Sequence, residues 1–148
     1  LAFWNRMMSA NLTSTFLAVK AATRHLRMAN KGGSVVIYTS TAGQRGSDVY
    51  SAYATSKGAQ ILFMRSMARE LAPDRIRVNA IAPSWTETDM SRQAMDDLGR
   101  TQLLANCPLG RVGTPEDVAN ATVYLLSDLA QFITGTTVTV DGGIDMRG

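Results

Sequence analysis

The first thirty residues carry hydrophobic side chains at a helical spacing. The stretch from Phe3 to about Ala29 contains no Gly or Pro, and its apolar residues recur about every 3.6 positions, as they do on one face of a helix. Gly32 and Gly33 follow it, as glycines often do past a helix end. We therefore predict one long helix, whose apolar stripe is formed by Trp4, Met7, Met8, Leu12, Phe16, Val19 and Leu26.

Three short runs rich in β-branched residues predict strands, at Ser34–Thr39, Arg75–Ala82 and Thr136–Val140. One apolar helical pattern lies between the first two runs, from about Ser51 to Leu71, and another precedes the third, from about Thr114 to Ser127. Thr114, Pro115 and Asp117 form a capping pattern at the start of the latter, and its predicted buried stripe is Val118, Ala121, Leu125 and Leu126. Single strands that alternate with helices are typical of parallel sheets in α/β proteins. The order predicts an α/β fold in which this chain supplies half of a doubly wound parallel sheet, three strands with flanking helices.

The helix between the first two predicted strands is apolar on more than one face. A helix that is hydrophobic nearly all round is usually buried on both sides. One side would cover the sheet, and the other needs a partner, either the first long helix or its copy in another subunit. We therefore expect a homo-oligomer, and the apolar residues concerned are Ala59, Ile61, Leu62, Phe63, Met64, Met67, Ala68 and Leu71.

Composition and charge exclude several classes of protein. The 148 residues are 45% hydrophobic and 18% charged, which fits one soluble globular domain. The net charge is +3, but the basic residues are scattered, so we expect no nucleic-acid-binding patch. No run is apolar for long enough to cross a membrane, and no cluster of Cys and His predicts a metal site. The single cysteine, Cys107, cannot form an intramolecular disulfide and suits a reducing, cytoplasmic location.

The candidate chemistry is concentrated between Ser40 and Lys57. Ser40 follows the first predicted strand, and Tyr53 and Lys57 lie in the first turns of the next helix. The segment between is predicted to be a loop, because it contains two glycines and several small polar residues. In open α/β sheets, ligands bind beyond the carboxyl ends of the strands, where these three side chains would meet. Residues four apart share a helical face, so the Lys57 ammonium would favour the ionised form of Tyr53 and make it a usable proton donor and acceptor. Ser40 would hydrogen-bond the same substrate oxygen and polarise it.

A Tyr and a Lys four positions apart also occur by chance, usually as a solvated or half-buried surface pair. Chance becomes a weaker explanation when Ser40 is included, because it stands thirteen positions before Tyr53 with the Ala42-Gly43 pair between them. This arrangement resembles the short-chain dehydrogenase/reductase family. The resemblance implies a Rossmann-like fold and catalytic roles for Ser40, Tyr53 and Lys57. It also implies that Tyr53 and Lys57 bind a nicotinamide cofactor, NAD or NADP, and that Lys57 holds the ribose hydroxyls of that cofactor.

The same resemblance assigns roles to residues elsewhere in the chain. Asn11, inside the first helix, matches an asparagine that completes a catalytic tetrad, and the carbonyl of that asparagine holds a water that relays protons to the lysine. The segment after the second strand resembles a loop that grips the nicotinamide carboxamide. Ser84 stands there in place of the usual glycine, whose backbone freedom serine lacks. The cofactor-binding residues implied in this loop are Pro83, Ser84, Thr86 and Thr88.

The segment from Asp89 to Asn106 is polar with scattered Met and Leu residues. An ordinary pair of surface helices would have this composition, but the resemblance implies a mobile lid that excludes water from hydride transfer. We expect Tyr50, Trp85 and Met90 to border the substrate pocket.

The sequence contains no glycine-rich turn, of the kind that cradles a cofactor pyrophosphate, after a predicted strand. We therefore expect that the amino-terminal cofactor-binding half of the domain is absent from this sequence. Residues 1–148 would then form the catalytic and carboxyl-terminal part of a single Rossmann-like domain.

The function implied by the resemblance is NAD(P)-dependent interconversion of an alcohol and a ketone or aldehyde, by hydride transfer with a Ser-Tyr-Lys(-Asn) proton relay. The resemblance also implies a homotetramer. Two alternatives stay open. One is a related epimerase or dehydratase, although the compact end after Gly143 argues against it. The other is a catalytically silent binding or scaffold protein, although structure alone requires none of the four tetrad residues.

Overall fold

The computed structural model describes residues 1–146, and its centre is a sheet of three parallel strands. They are β1 (Gly33–Tyr38), β2 (Ile76–Pro83) and β3 (Thr137–Val140), which lie side by side in that order. Both neighbouring pairs run parallel, so all three carboxyl ends lie at the same edge of the sheet. The predicted α/β fold is confirmed, and each strand lies within a residue of its predicted bounds.

Helices connect the strands and cover the sheet. Short 3₁₀ turns follow two of them, at Ala72–Asp74 and Asp128–Ala130. In the part of the chain that the structure describes, the α-helices are α1 (Ala2–Met8), α2 (Ser14–Ala29), α3 (Thr41–Arg45), α4 (Ser51–Glu70), α5 (Asp89–Leu98), α6 (Arg100–Ala105) and α7 (Pro115–Leu126).

The two faces of the sheet have separate hydrophobic cores, because successive strand residues point to opposite faces. On one face α2 and α4 pack over β1 and β2, and Val78 and Ala80 are fully buried there. On the other face α7 packs over all three strands, with Ile81 and Leu125 fully buried. The sheet is therefore the middle of three layers, as in a doubly wound fold.

The first predicted helix is interrupted by a π-helical turn, Ser9–Thr13, between α1 and α2. Met8 and Ser14, on either side, keep right-handed helical backbone angles, so the chain continues in the same direction. The prediction of one uninterrupted α-helix was wrong at this point. π-helical turns are rare in proteins, but those that occur are often at functional sites. This one contains Asn11.

The start of α7 agrees with its predicted capping pattern. Pro115 is the first helical residue, and the Asp117 carboxylate accepts a hydrogen bond from the Thr114 main-chain N–H at 2.7 Å. Arg111 makes two further bonds to that carboxylate, at 2.6 and 2.9 Å. Arg111 and Thr114 together hold the pKa of Asp117 well below its ordinary value.

Two residues predicted to be apolar core are exposed. Leu126, predicted to lie on the buried stripe of α7, is 48% exposed, because it lies in the last turn. Leu62, on α4, is 64% exposed, while Ile61 and Met64 beside it are buried against the sheet. The second face of α4 therefore carries apolar surface that this chain leaves uncovered.

Candidate active site

Ser40 lies just beyond the carboxyl end of β1 and caps α3. Its Oγ accepts a hydrogen bond from the Ala42 main-chain N–H at 3.2 Å, which is how a serine stabilises a helix start. Its own main-chain N–H donates to Thr39 Oγ1. The segment after Ser40 was predicted as a loop, and the short helix α3 within it corrects that prediction.

The position of α3 depends on a very close approach to α4 at Gly43. A β-carbon at this residue would lie 2.6 Å from the carbonyl carbon of Lys57 and 2.7 Å from the main-chain N of Gly58. Only glycine permits two backbones to come this close. The contact holds α3, which Ser40 caps, against the turn of α4 that carries Lys57.

Tyr53 and Lys57 lie one turn apart on the same face of α4, as predicted. The Lys57 Nζ lies 5.8 Å from the centre of the Tyr53 ring. It donates a hydrogen bond to the main-chain carbonyl of Tyr38, the last residue of β1, at 3.0 Å. Both side chains are half-buried, and burial lowers the pKa of Lys57 below its ordinary value of 10.5. The lysine is thus anchored at the carboxyl end of the strand.

Tyr38 contributes to this anchor with its main chain only. Its side chain points toward the other layer of helices, where the Tyr38 hydroxyl lies 2.7 Å from Thr122 Oγ1 of α7. No pattern in the sequence marks the carbonyl of residue 38 as a partner of Lys57, so this part of the site was missed.

Asn11 lies in the π-helical turn and reaches α4 through its side chain. Its Nδ2 donates to Ser56 Oγ at 2.9 Å, and Ser56 Oγ donates in turn to the Tyr53 main-chain carbonyl at 2.7 Å. The Asn11 carbonyl accepts bonds from Thr15 Oγ1 at 2.7 Å and from Gln60 Nε2 at 2.9 Å. The structure therefore brings Asn11 to the helix that carries Tyr53 and Lys57. Ser56 and Gln60, which complete the connection, were not predicted.

The loop after β2 is held by main-chain hydrogen bonds. Ser84 N–H donates to the Val140 carbonyl at 3.1 Å, and Glu87 N–H donates to the Gly113 carbonyl at 2.8 Å. Gly113 N–H returns a bond to the Trp85 carbonyl at 2.9 Å. Among residues 1–146, positive φ angles outside glycine occur only at three positions, none of them in this loop. Ser84 therefore fits without the left-handed backbone that a glycine would permit.

Thr86 and Thr88 lie at the two ends of the turn that leads into α5. The Thr86 hydroxyl donates to the Ser84 carbonyl at 3.1 Å. Thr88 precedes the first residue of α5, and its hydroxyl lies 2.8 Å from that of Ser91. The cofactor contacts expected of Pro83, Ser84, Thr86 and Thr88 stay a prediction.

The residues expected around the substrate differ in exposure. Tyr50, just before α4, is 51% exposed, and Met90, at the start of α5, is 87% exposed. Trp85 is half-buried in the loop after β2. Their role in a substrate pocket stays a prediction, because this chain alone does not enclose them.

The segment predicted as a lid forms α5 and α6, and one acidic residue ties both to the preceding loop. Glu87 accepts two bonds from Arg100, at 2.8 and 3.0 Å, and a weaker one from Arg92 at 3.5 Å. Arg100 also pairs with Asp96 at 2.6 Å. These arginines lower the pKa of Glu87. Exposed ion pairs of this kind contribute little stability individually, and the role of this segment as a lid stays a prediction.

Residues 1–146 form neither a membrane-spanning helix nor a metal-binding cluster. None of their helices is long and apolar enough to cross a membrane. No group of three or more His, Cys, Asp or Glu side chains in the same range could hold a metal ion.

Comparison with known proteins identifies the family. A family model described as enoyl-(acyl carrier protein) reductase matches residues 1–145. The chain belongs to the short-chain dehydrogenase/reductase family. The predicted resemblance is therefore confirmed over nearly the whole chain.

Three members of the short-chain dehydrogenase/reductase family show how far the similarity extends. The 3-oxoacyl-(acyl-carrier-protein) reductase FabG of Chlamydia pneumoniae is 40% identical over 141 residues, which are 95% of this chain and 56% of that protein. The inactive 2-(S)-hydroxypropyl-CoM dehydrogenase 2 of Xanthobacter autotrophicus is 42% identical over 146 residues, 95% of this chain and 63% of that protein. The crystal structure of a 3-oxoacyl-(acyl-carrier protein) reductase from Brucella melitensis matches with a TM-score of 0.91 and 35% identity, over 99% of this chain and 54% of that one. The chain therefore spans between 54% and 63% of the length of these family members.

Proposed function

We propose that this chain is the catalytic part of a NAD(P)-dependent short-chain dehydrogenase/reductase that interconverts an alcohol and a ketone or aldehyde. The observation that carries the proposal is the pair of Tyr53 and Lys57 on one face of α4. The lysine amine lies 5.8 Å from the tyrosine ring centre and is anchored on the Tyr38 carbonyl at 3.0 Å. A fixed positive charge near a tyrosine ring favours the ionised form of that tyrosine, which is suited to proton transfer.

The proposed roles follow from the chemistry of each side chain. Tyr53 donates a proton to the carbonyl oxygen during reduction and removes it from the alcohol during oxidation. Ser40 donates a hydrogen bond to the same oxygen and polarises it. Lys57 supplies the charge that favours the ionised tyrosine. Asn11, which lies in the π-helical turn, completes the tetrad. Ser56 connects the Asn11 side chain to the main chain of Tyr53.

The residues of this chain fit the nicotinamide end of NAD or NADP. An ammonium group has three N–H donors, and Lys57 uses one of them on Tyr38 within the part of the chain that the structure describes. Two donors are left for the ribose hydroxyls, while the loop with Thr86 and Thr88 lies beyond β2 at the same edge of the sheet. When bound, the nicotinamide supplies or accepts the hydride.

We further propose that the pyrophosphate end is bound by an amino-terminal half that lies outside this sequence, in a cytoplasmic protein. The chain spans only 54–63% of the length of the relatives described above. The assays below therefore use the full-length protein that contains both halves.

The test is hydride transfer by the full-length protein, followed as the absorbance of NADH or NADPH. Acetoacetyl-CoA is the first substrate to try, because it is a 3-oxoacyl thioester and two of the relatives are named 3-oxoacyl reductases. Tyr53→Phe should lower turnover by at least the ~10²-fold typical of a lost acid–base group. Tyr124→Phe, an exposed tyrosine of α7, is the matched control and should keep wild-type turnover. Near-normal turnover of Tyr53→Phe would contradict the proposal.

One observation favours a second candidate, a catalytically silent protein with the same fold. A relative that is 42% identical to this chain carries the name of an inactive dehydrogenase. A silent protein would bind the cofactor but transfer no hydride to or from any alcohol or carbonyl. The absorbance assay on the wild-type protein separates the two candidates.

We also propose that the full-length protein is a homotetramer and that α2 and α4 contribute to its interface. A groove between these helices is lined by apolar and charged side chains, and the apolar ones include Phe16 and Phe63, whose ring centres are 6.2 Å apart. Leu62 of α4 is exposed as well, and large apolar patches are unusual on monomers. The number four comes from the family resemblance. Light scattering that finds a monomer at micromolar concentration would contradict the proposal.

A further inference from the structure

Gln60 is a polar side chain buried in the middle of the apolar helix α4. It is only 3% exposed. Its Nε2 donates hydrogen bonds to the Asn11 carbonyl at 2.9 Å and to Thr15 Oγ1 at 2.6 Å. Burying an amide is unfavourable unless it is hydrogen-bonded, so its contacts with the π-helical turn and α2 explain how α4 accommodates it.

The orientation of the Gln60 amide follows from these partners. A main-chain carbonyl can only accept, so the NH₂ group must face Asn11. The amide oxygen, Oε1, then points away, and it is buried without a hydrogen-bond partner among residues 1–146. A buried acceptor without a partner destabilises the fold. The Gln60 amide is therefore directed at Asn11 and Thr15 through its NH₂ group.

Gln60 and Ser56 together bind Asn11 at two different groups. Ser56, one turn earlier on α4, binds the side-chain amide of Asn11 at 2.9 Å, and Gln60 binds the main-chain carbonyl of the same residue. Thr15 Oγ1 also donates to that carbonyl at 2.7 Å, and Ser14 Oγ does so at 3.2 Å. Asn11 is therefore fixed at its side chain and its main chain together, at the centre of the π-helical turn.

The connection continues to the proposed catalytic residues. Ser56 Oγ donates to the main-chain carbonyl of Tyr53 at 2.7 Å, and Ser56 directly precedes Lys57 in the chain. If Asn11 moved, the hydrogen bonds through Ser56 would therefore shift the first turns of α4 as well. Reacting groups need support of this kind, because small errors in their position lower the rate.

We propose that Gln60 is a positioning residue, which fixes Asn11 and, through Asn11 and Ser56, the turn of α4 that carries Tyr53 and Lys57. It acts without touching the reacting atoms. This inference rests on the function proposed above, and its test is arranged so that the two can fail separately.

The first test is Gln60→Met in the full-length protein. Methionine keeps the length of the side chain but cannot donate to Asn11, and it also removes the unpartnered oxygen. We expect kcat for acetoacetyl-CoA reduction to fall about 10-fold or more, with KM within about twofold, because misplacement of reacting groups slows the reaction step more than it weakens substrate binding. Thr23→Val is the matched control, since Thr23 Oγ1 of α2 is also buried without a partner. It should keep the wild-type kcat.

The second test, Gln60→Glu, distinguishes positioning from a structural role. A protonated carboxyl can donate to the Asn11 carbonyl, whereas an ionised one places oxygen against oxygen. Burial raises the pKa of a carboxyl. The facing turn, Ser9–Thr13, contains no titratable residue, and Ser56 and Thr15 do not titrate; the titratable groups nearby on α4 are Tyr53 and Lys57. The ratio of variant to wild-type kcat should therefore rise as the pH falls, whereas a structural role alone gives a pH-independent ratio.

The outcomes separate the two proposals. Wild-type kcat in Gln60→Met would overturn the positioning role and leave the proposed function intact. If thermal unfolding shows that Gln60→Met does not fold, a pH-independent ratio for Gln60→Glu overturns the role instead. A folded wild-type protein that oxidises neither NADH nor NADPH with acetoacetyl-CoA or any other carbonyl compound would refute the proposed function, and this inference with it.

Discussion

Replacing Gly43 by alanine tests how firmly the contact between α3 and α4 holds Lys57. A β-carbon at residue 43 would lie 2.6 Å from the Lys57 carbonyl carbon, 2.7 Å from Gly58 N and 2.8 Å from Lys57 Cβ. Ordinary van der Waals contact begins near 3.4 Å, so the closest pair would have to separate by about 0.8 Å. None of these atoms can move away by a change of side-chain rotamer. The backbone of α3 or α4 must therefore shift.

Two opposing effects determine the change in the free energy of unfolding. Alanine stabilises a helix interior by about 0.8–1.0 kcal/mol relative to glycine, whereas forcing an extra carbon into a packed contact costs about 1–3 kcal/mol. Because three rigid atoms crowd the new methyl group, the cost should lie in the upper half of that range. The net loss is then about 1–2 kcal/mol. At roughly 2–4 °C per kcal/mol, Tm should fall by about 2–8 °C.

The effect on turnover should be larger than the effect on stability. A displacement of about 1 Å near the reacting groups can lower the rate on the order of 10²-fold, and the shift required here approaches that size. Thermal unfolding and steady-state kinetics of the full-length protein measure the two effects. Gly58→Ala is the control from the same contact. Its β-carbon would lie 3.1 Å from the Gly43 carbonyl oxygen, which is a milder crowding than at Gly43. The gain in helix propensity should largely offset this cost, so Tm should change little.

Two results would refute this reasoning. An unchanged Tm would show that α3 moves aside at no cost and that the close approach is not a constraint. A lowered Tm with wild-type turnover would show that the contact stabilises the fold but does not position Lys57.

Two pH-dependent predictions follow from the charged groups. Burial lowers the pKa of Lys57 below 10.5, so the unfolded chain binds this proton more tightly, and the lysine contributes a rise in stability as the pH increases toward 10.5. Lys57→Met should therefore remove that rise, so that Tm increases less steeply with pH in this variant than in the wild type. Lys31→Met is the control and should keep the wild-type slope. A wild-type slope in Lys57→Met would contradict the assigned burial. The pKa of Asp117 is held low by Arg111 and Thr114, so its contribution is present above its ordinary pKa of 3.8 and is lost as the pH falls through and below that value. Asp117→Asn should lower Tm near neutrality by more than Glu116→Asn does, and the deficit should shrink in acid; a deficit that does not change with pH would argue against the ion pair.

The elements that depend on local periodicity were predictable from the sequence. Thr114, Pro115 and Asp117 occur in an order that starts a helix wherever it is placed, and the structure begins α7 there. The β-branched runs of the three strands behave in the same way. For these segments the local preference and the final packing agree.

The π-helical turn was not predictable by the same means. Met8, just before the turn, and Leu12, within it, keep the four-residue spacing of an ordinary helix, and no Pro or Gly marks the turn. The turn is tied to α4 by contacts with Ser56 and Gln60, which are about fifty positions away in sequence. The short helix α3 was missed for a related reason, since Gly43 suggests a loop until its close approach to α4 is known.

The site residues show the same difference between local patterns, which could be predicted, and long-range contacts, which could not. Tyr53 and Lys57 were predictable because their relation is one helical turn within a single helix. Asn11 could be assigned only through the family resemblance, and Gln60 could not be assigned at all. A glutamine among apolar residues gives no sign of its partner, because that partner is a main-chain carbonyl on another helix.

Tyr38 interacts with both layers of helices through different parts of one residue. Its carbonyl anchors Lys57 at 3.0 Å on one side, and its hydroxyl meets Thr122 at 2.7 Å on the other. A mutation at this codon changes only the second contact, because every amino acid provides the same carbonyl. A mutational scan would therefore rank position 38 by its fit against α7 and would never detect the acceptor for Lys57. Only a change to the backbone itself, such as an ester in place of the peptide bond between residues 38 and 39, would weaken that acceptor, so natural variation at this position is free of the constraint that the lysine imposes.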